Sequence, residues 1–369
     1  MENNNTVVGL DVHKETITIA VLRPGQDRSD QSATFENQPS TIEKKVKELN
    51  RRHAPLEFVY EAGPGGFALY RQLTQLGHRC AVIAPAWMPM KPGDRVKTDR
   101  KDAEKLSWYW RMKDLKEVRV PTPEEEAVRD MLRVREDVLA NQLRARQRLL
   151  KFLMRQGRVY RNGKNWTKAH SEWLRQQKFE LEYLSKTYEA NYRILAEIDT
   201  HLADLNREVE LLAQDEKHKT AVGYLKCLKG VNTLSAMTLL AESGDFRRFK
   251  NARSYMRYTG MVSWENSSGS RVYRGGITKS GNAHIRRVLV QGAWTYQLRS
   301  LGSPTLAKRR KGCPVEVIHL ARRADERLHL KFRRMIGRNK RSQVAVVAIA
   351  RELAGFVWAI GQMIPSDQQ

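Results

Sequence analysis

The chain has 369 residues, 41% of them hydrophobic, and a formal net charge of +25. That length predicts two or three domains with real cores. The charge predicts a polyanionic partner, most simply nucleic acid, ahead of a membrane surface, because the basic residues are spread over folded-looking segments and not gathered in one tail.

Three cysteines (Cys80, Cys227, Cys313) lie far apart with no CxxC or Cys/His spacing. Structural zinc is disfavoured, and a reducing cytosol is expected. The opening MENNNTVVGLDVHK lacks a basic region followed by an apolar run, so no signal peptide is read there. Val344–Ile360 is apolar but interrupted by Arg351 and Glu352. It reads as an amphipathic core helix, and no membrane span is expected.

In chain order, residues 6–22 hold two β-branched runs around a polar break at His13–Glu15, which predicts a hairpin. A short strand passes through Ala33–Phe35. A helix covers Ser40–Leu49, with Ser40 as its candidate N-cap. Leu56–Tyr60 is a buried strand ending at Glu61, and AGPGG leads into a helix over Leu69–Leu76. Cys80–Ile83 is the next strand, halted by Pro85, and helix returns from Asp102 to Met112. The order β-β-β-α-β-α-β-α fits a mixed sheet with helices on its faces.

Pro121 and Pro123 mark a boundary. One long helix is predicted over Glu124–Gln156, a break over 157–164, and a second long helix over Thr167–Ala213. Leu181, Leu184, Tyr188, Leu195, Ile198, Leu202, Leu205, Val209 and Leu212 step by threes and fours, with Asn191 in the one gap. That heptad seam predicts an antiparallel helical hairpin, a dimerising coiled coil, or both. Leu225–Leu240 gives two helical runs broken at Gly230, a turn that can offer backbone N–H groups to a phosphate. An amphipathic helix follows in GDFRRFKNARSYMRYTG. Residues 303–341 carry 13 Lys/Arg against Glu316, Asp325 and Glu326, as expected of a basic helix along a nucleic-acid backbone. The domains are placed at 1–120 (α/β), 121–215 (long helices) and 216–369 (mainly α).

Two groups of residues carry chemistry. The first is acidic: Asp11 directly after the buried VVGL, Glu61 at a strand end, and Asp99 and Asp102 three apart in KTDRKDAEKL. If they converge on one sheet edge they repel one another unless cations lie between them. Oxygen ligands and a phosphate substrate imply Mg²⁺, as a pair clamping a phosphoryl transfer. His13 and Lys14 read as hairpin or phosphate-side residues and not as ligands. The second group is Trp264–Arg287, a basic, glycine-punctuated loop with no acid after Glu265. It gathers Ser267 and Ser268 with Arg271, Arg274, Lys279, Arg286 and Arg287, the parts needed to hold a phosphodiester and attack it. The plainer alternative is a turn that only grips phosphate.

These motifs carry a resemblance. VVGLDVHK, VYEAGPGG and VKTDRKDAEKL resemble the N-terminal DEDD domain of the IS110 family of insertion-sequence transposases. LKGVNTLSAMTLL, through SSGS and GGITKSGNAHIRR, is similar to that family's C-terminal transposase domain. The likeness spans nearly the whole chain. It implies a ribonuclease-H-like (RuvC-like) N-terminal fold with the tetrad on Asp11, Glu61, Asp99 and Asp102. It places the family's serine nucleophile on Ser268, with Ser267 adjacent. It further implies DNA recombination guided by an element-encoded bridge RNA, on homodimers that join into tetramers with each active site shared between subunits. The resulting expectation is a transposase acting on element ends and target DNA through a phosphoserine–DNA link assisted by Mg²⁺. The rivals are a RuvC-like junction nuclease using water, and a non-catalytic nucleic-acid-binding protein.

Overall fold

A computed structural model describes residues 5–85, 88, 98–268, 271–299 and 303–365, the side chains of 268 and 274 excepted. The chain divides into two compact units, Met1–Pro121 and Thr122–Gln369.

In the first unit β1 (Thr6–Val12), β2 (Thr16–Leu22) and β3 (Gln31–Glu36) form an antiparallel meander. The unit continues with α1 (Pro39–His53), β4 (Leu56–Glu61), α2 (Ala68–Gln75), β5 (Arg79–Ile83) and α3 (Asp99–Arg111). The sheet order is β3-β2-β1-β4-β5, with β1, β4 and β5 parallel. The predicted element order holds, and this mixed sheet is consistent with a ribonuclease-H-like fold.

Alternation along the strands sorts side chains between two faces. Val8, Leu10, Phe58 and Tyr60 pack with Ile42, Val46, Leu49 and Leu73 from α1 and α2. Val7, Val59, Ala81 and Ile83 pack with Leu106 and Tyr109 from α3. Asp11 and Glu61 share the parity of this second face. Two helix starts differ from expectation. Ser40 is not the cap of α1: Pro39 takes the first turn, where its fixed φ fits, and Gln38 is the N-cap. α3 begins at Asp99 and not Asp102, because the Thr98 hydroxyl caps it by accepting from the Lys101 N–H.

Gly9 sets how closely α3 approaches. A Cβ there would lie 2.1 Å from the Ala103 carbonyl oxygen and 2.8 Å from the Ser107 nitrogen. The helix backbone therefore rests directly on β1. Gly9→Ala is expected to cost about 2–3 kcal/mol as the helix is forced outward, read as a lower thermal unfolding midpoint; an unchanged midpoint would show that α3 yields freely.

The second unit opens with α4 (Pro123–Arg155), whose Thr122–Glu125 capping box and Pro123 fix its start. The predicted second long helix is two: α5 (Lys168–Arg175) and α6 (Glu182–Leu212). The chain turns between them, and the Tyr188 hydroxyl donates to the Leu174 carbonyl across the turn at 2.5 Å. α4 and α6 run antiparallel, Arg135 bonding Asn206 and Gln142 bonding Asp199. The seam is used within the chain: Tyr188, Leu195, Leu202 and Val209 are buried every seventh residue.

Beyond it come α7 (Glu216–Lys226), α8 (Thr233–Ser243) and α9 (Ala252–Tyr258). The basic serine segment is no irregular loop. It is a hairpin of β6 (Ser263–Ser268) and β7 (Arg271–Ile277), followed by α10 (Ala283–Ala293). Ser263 pairs with Ile277 and Glu265 with Arg274, so Gly275 and Gly276 together oppose Trp264 in a β-bulge. A Cβ on Gly275 would lie 2.8 Å from the Trp264 ring. Polar residues on both faces hide the strand alternation from a sequence reading. The chain ends with α11 (Pro304–Arg310), α12 (Val315–Gly337) and α13 (Ser342–Gly361). α13 is long and apolar enough to cross a membrane. Here Val346, Ile349, Leu353, Val357 and Ile360 are buried in the core shared with α8, α10 and α12.

Candidate active site

Leu10 pairs with Tyr60 across the parallel strands, so Asp11 and Glu61 lie at the next rung of the same C-terminal edge. Both belong by parity to the face that α3 covers, and Gly9, two residues before Asp11, lets the helix lie close. The first turn of α3 then delivers Asp99 and Asp102. Asp11, Asp99 and His13 offer ligand atoms that all lie within 4.8 Å of one another. The His13 Nε2 is 3.2 Å from the Asp11 Oδ2 and 3.5 Å from the Asp99 Oδ1. His13 does sit in the hairpin turn, as expected, but its ring joins the acids. Asp102 is 3.9 Å from Lys105 Nζ, and Glu61 is exposed.

Electrostatics mark the same spot. Partial burial pushes the Asp11 carboxyl above its usual range; His13 works against this, while the Asp99 and Asp102 carboxylates raise it further. Carboxylates held together in this way, with an imidazole at their edge, offer the oxygen-rich donor set of a divalent cation. A bound cation would turn mutual repulsion into attraction.

In the second unit Ser268 ends β6 opposite Arg271. Its side chain, like that of Arg274, lies outside the described residues. The Ser267 hydroxyl donates to Glu265 Oε1 at 2.9 Å. Arg271 and Lys279 are exposed. Lys279 has a φ of 57°, costly for a residue with a Cβ, and its N–H donates to the Gly260 carbonyl. Arg286 and Arg287 are engaged inside the unit: Arg286 donates to the Thr259 carbonyl at 2.9 Å, and Arg287 pairs with Glu136.

A polar network that the sequence reading missed holds α10, the helix that follows the hairpin, to α4 and α8. Glu242, its side chain 3% exposed, accepts from Arg133 at 2.7 and 3.0 Å. It also accepts from Asn282 at 2.6 Å, while the Asn282 Oδ1 caps α10 by accepting from the Ile285 N–H. Burial raises the Glu242 carboxyl, but the Arg133 and Asn282 bonds outweigh it and hold the group below its usual range. His284 adds a 2.7 Å contact to Glu136. The available signals were an acid inside the apolar run MTLLAES and an Asn three residues before Ile285.

Comparison with known proteins decides the family. Residues 8–156 match the model of the DEDD domain of IS110 transposases, and residues 223–307 match "Transposase IS116/IS110/IS902 family". The chain is 36% identical over 361 residues to the Sinorhizobium fredii protein y4qE, named as a transposase, covering 96% of this chain and 88% of that one. It is 34% identical over 345 residues to the transposase for insertion sequence element IS1533 of Leptospira borgpetersenii, covering 90% and 97%. The chain belongs to the IS110 family of transposases. As such it serves insertion-sequence mobility, which requires cutting and rejoining DNA, and its DEDD domain implies use of a divalent metal at the acidic cluster.

Proposed function

We propose that this transposase exchanges DNA strands through a covalent phosphoserine–DNA link, with Ser268 as nucleophile and Asp11, Glu61, Asp99 and Asp102 holding Mg²⁺. The observation that carries this reading is the convergence of Asp11, Asp99 and His13 within 4.8 Å, beside Glu61, in a chain that also presents a basic serine hairpin. Mg²⁺, when bound, neutralises charge on the reacting phosphate. The Ser268 oxygen attacks phosphorus, the P–O bond to the departing strand end breaks, and that end leaves as a hydroxyl. A strand end later attacks the phosphoserine and releases the serine, so bonds are conserved and no water is consumed. Arg271 and Lys279 offer exposed cations to the phosphate oxygens, while Arg286 and Arg287 keep the frame in place.

A serine needs a base, and the one acid in the sequence of its own hairpin is Glu265, which accepts from the Ser267 hydroxyl. That supports carboxylates of one copy serving the serine of another, in dimers that pair on element ends and target. The net charge suits both DNA and a structured guide RNA.

The test is to trap a protein–DNA adduct and locate it by mass spectrometry. The adduct is expected on Ser268 and is expected to vanish in Ser268→Ala together with strand transfer. Continued cleavage by Ser268→Ala would favour water as nucleophile. Metal is tested separately: ~10 mM Mg²⁺ is expected to raise the unfolding midpoint by a few degrees, as any ligand selective for the folded state does. Asp11→Asn should remove the rise; an equal rise in that variant would place the ion elsewhere.

A further inference from the structure

Between residues 144 and 178 the chain has eleven lysines and arginines against a single acid, Glu172. The stretch covers the last turns of α4, the segment 156–167 and α5. It shares no residue with the acid cluster or the serine hairpin. On α4, Arg144, Arg148, Lys151 and Arg155 step by four, three and four residues and so fall on one face. All four are exposed, and none is paired with an acid among the described residues. Their row is about 16 Å long at the helical rise. Beyond the helix Arg161, Lys164, Lys168 and Arg175 are also exposed, with no acidic partner among the described residues.

Unpaired like charges repel, so something must hold them together. The buried α4 face does so first, through Ala145, Leu149, Phe152 and Leu153 packed on Leu174, Tyr188 and Leu195. Next comes an aromatic knob around His170, with the rings of Tyr160, Trp166 and Trp173 at 5.0, 5.1 and 5.6 Å. The Trp166 N–H donates to the His170 Nδ1, and Arg146 and Arg158 lie over the rings of Trp166 and Phe179 at 4.8 and 4.2 Å. The 156–167 segment is thus fixed without regular secondary structure. Its charges are ordered before any partner arrives, which lowers the cost of binding.

We infer that this end of the α4–α6 hairpin is a second nucleic-acid site, which grips the phosphodiester backbone of a duplex and makes no cut. A row of exposed cations along one helix face fits a regular polyanion, and between residues 144 and 178 the single acid Glu172 leaves little for a mixed-charge protein surface to match, the glutamates at this end (Glu180, Glu182, Glu189) standing on the α6 side. The duplex partner rests on the transposase reading; the surface itself does not.

The test uses the full-length protein in EDTA, with the acids and Ser268 untouched, so that binding is scored apart from cleavage. One variant carries R148Q, K151Q, R155Q and K164Q. A control loses the same charge on α1 through K44Q, K47Q, R51Q and R52Q. Both must keep the wild-type thermal midpoint; a collapse of the first would be replaced by single substitutions at Arg155 and Lys164. Binding to a ~25-base-pair DNA duplex, an RNA duplex of equal length and anionic vesicles is measured from ~50 to ~300 mM salt. The expected result is that the slope of log affinity against log salt becomes shallower by about 3 in the first variant. Its affinity near 150 mM salt should fall at least ~30-fold, with the control unchanged. Whichever duplex shows the larger loss is the natural partner. Equal losses in both variants, no loss on either duplex, or a loss confined to vesicles would overturn the inference.

Discussion

Asp11→Asn is expected to lower strand cleavage and transfer by at least ~10³-fold while the folded protein becomes no less stable. The two halves of that result have one cause. Burial and the nearby Asp99 and Asp102 carboxylates disfavour a charged Asp11, raising its pKa. From the usual carboxylate range up to that raised value, the folded chain holds a proton that the unfolded chain has released. Stability therefore falls as pH rises through the window, and the neutral amide escapes the loss. The amide also cannot supply the anionic oxygen that a divalent ion requires. Unfolding curves at pH 5 and 8 in EDTA, alongside a strand-transfer assay, measure both halves. Activity within tenfold of wild type would remove Asp11 from the catalytic set, and a marked loss of stability would mean that its carboxylate is structural.

The second large effect concerns the network that holds α10, the helix after the serine hairpin, to α4 and α8. Arg133→Met should cost about 3 kcal/mol at neutral pH, because it leaves the Glu242 carboxylate buried without its cation. In the wild type Glu242 has a lowered pKa. Its contribution is present above the usual carboxylate range and is lost as pH falls through the depressed value. The variant reverses this: burial then dominates, the pKa rises, and protonation on acidification relieves the penalty. The loss should thus shrink between pH 8 and pH 5, and Glu242→Gln added to Arg133→Met should recover most of it. Denaturant titrations at both pH values decide, and a loss independent of pH would mean that packing and not charge is responsible.

What could be read from the sequence follows physical lines. Val7-Val8 and Ile17–Ile19 announce strands because β-branched residues alternate around polar breaks, and Pro121–Pro123 announces the unit boundary. All four acids could be picked out because an acid at the end of an apolar strand or in a helix start needs a reason. The residues alone left their convergence conditional; the closeness of Asp11, Asp99 and His13 rests on how near α3 lies to β1, which Gly9 permits by lacking a side chain. The break between α5 and α6 was hidden because no glycine or proline marks it; the Tyr188–Leu174 bond across the turn is a tertiary contact. The strands around Ser268 escaped notice because an exposed hairpin with polar residues on both faces has no apolar period to display. The Arg133–Glu242–Asn282 network joins residues 109 and 40 positions apart, which no local pattern records.

The Gly275–Gly276 bulge gives the hairpin a mechanical meaning. Ser268 stands four residues beyond Trp264, on a lever arm of about 13 Å at the strand rise. A bulge bends and twists the strand that carries it, so this pair of glycines acts as the elbow that aims the tip. Removing Gly276 would leave Ser263 opposite Ile277 and Glu265 opposite Arg274, with every functional side chain retained. Yet a change of only ~20° at the elbow would swing the tip by about 4–5 Å, where an error near 1 Å can already cost ~10²-fold in rate. On the proposal that Ser268 is the nucleophile, its reach is written in two residues that carry no functional group, and deleting one glycine is expected to silence strand transfer with every reactive atom still present.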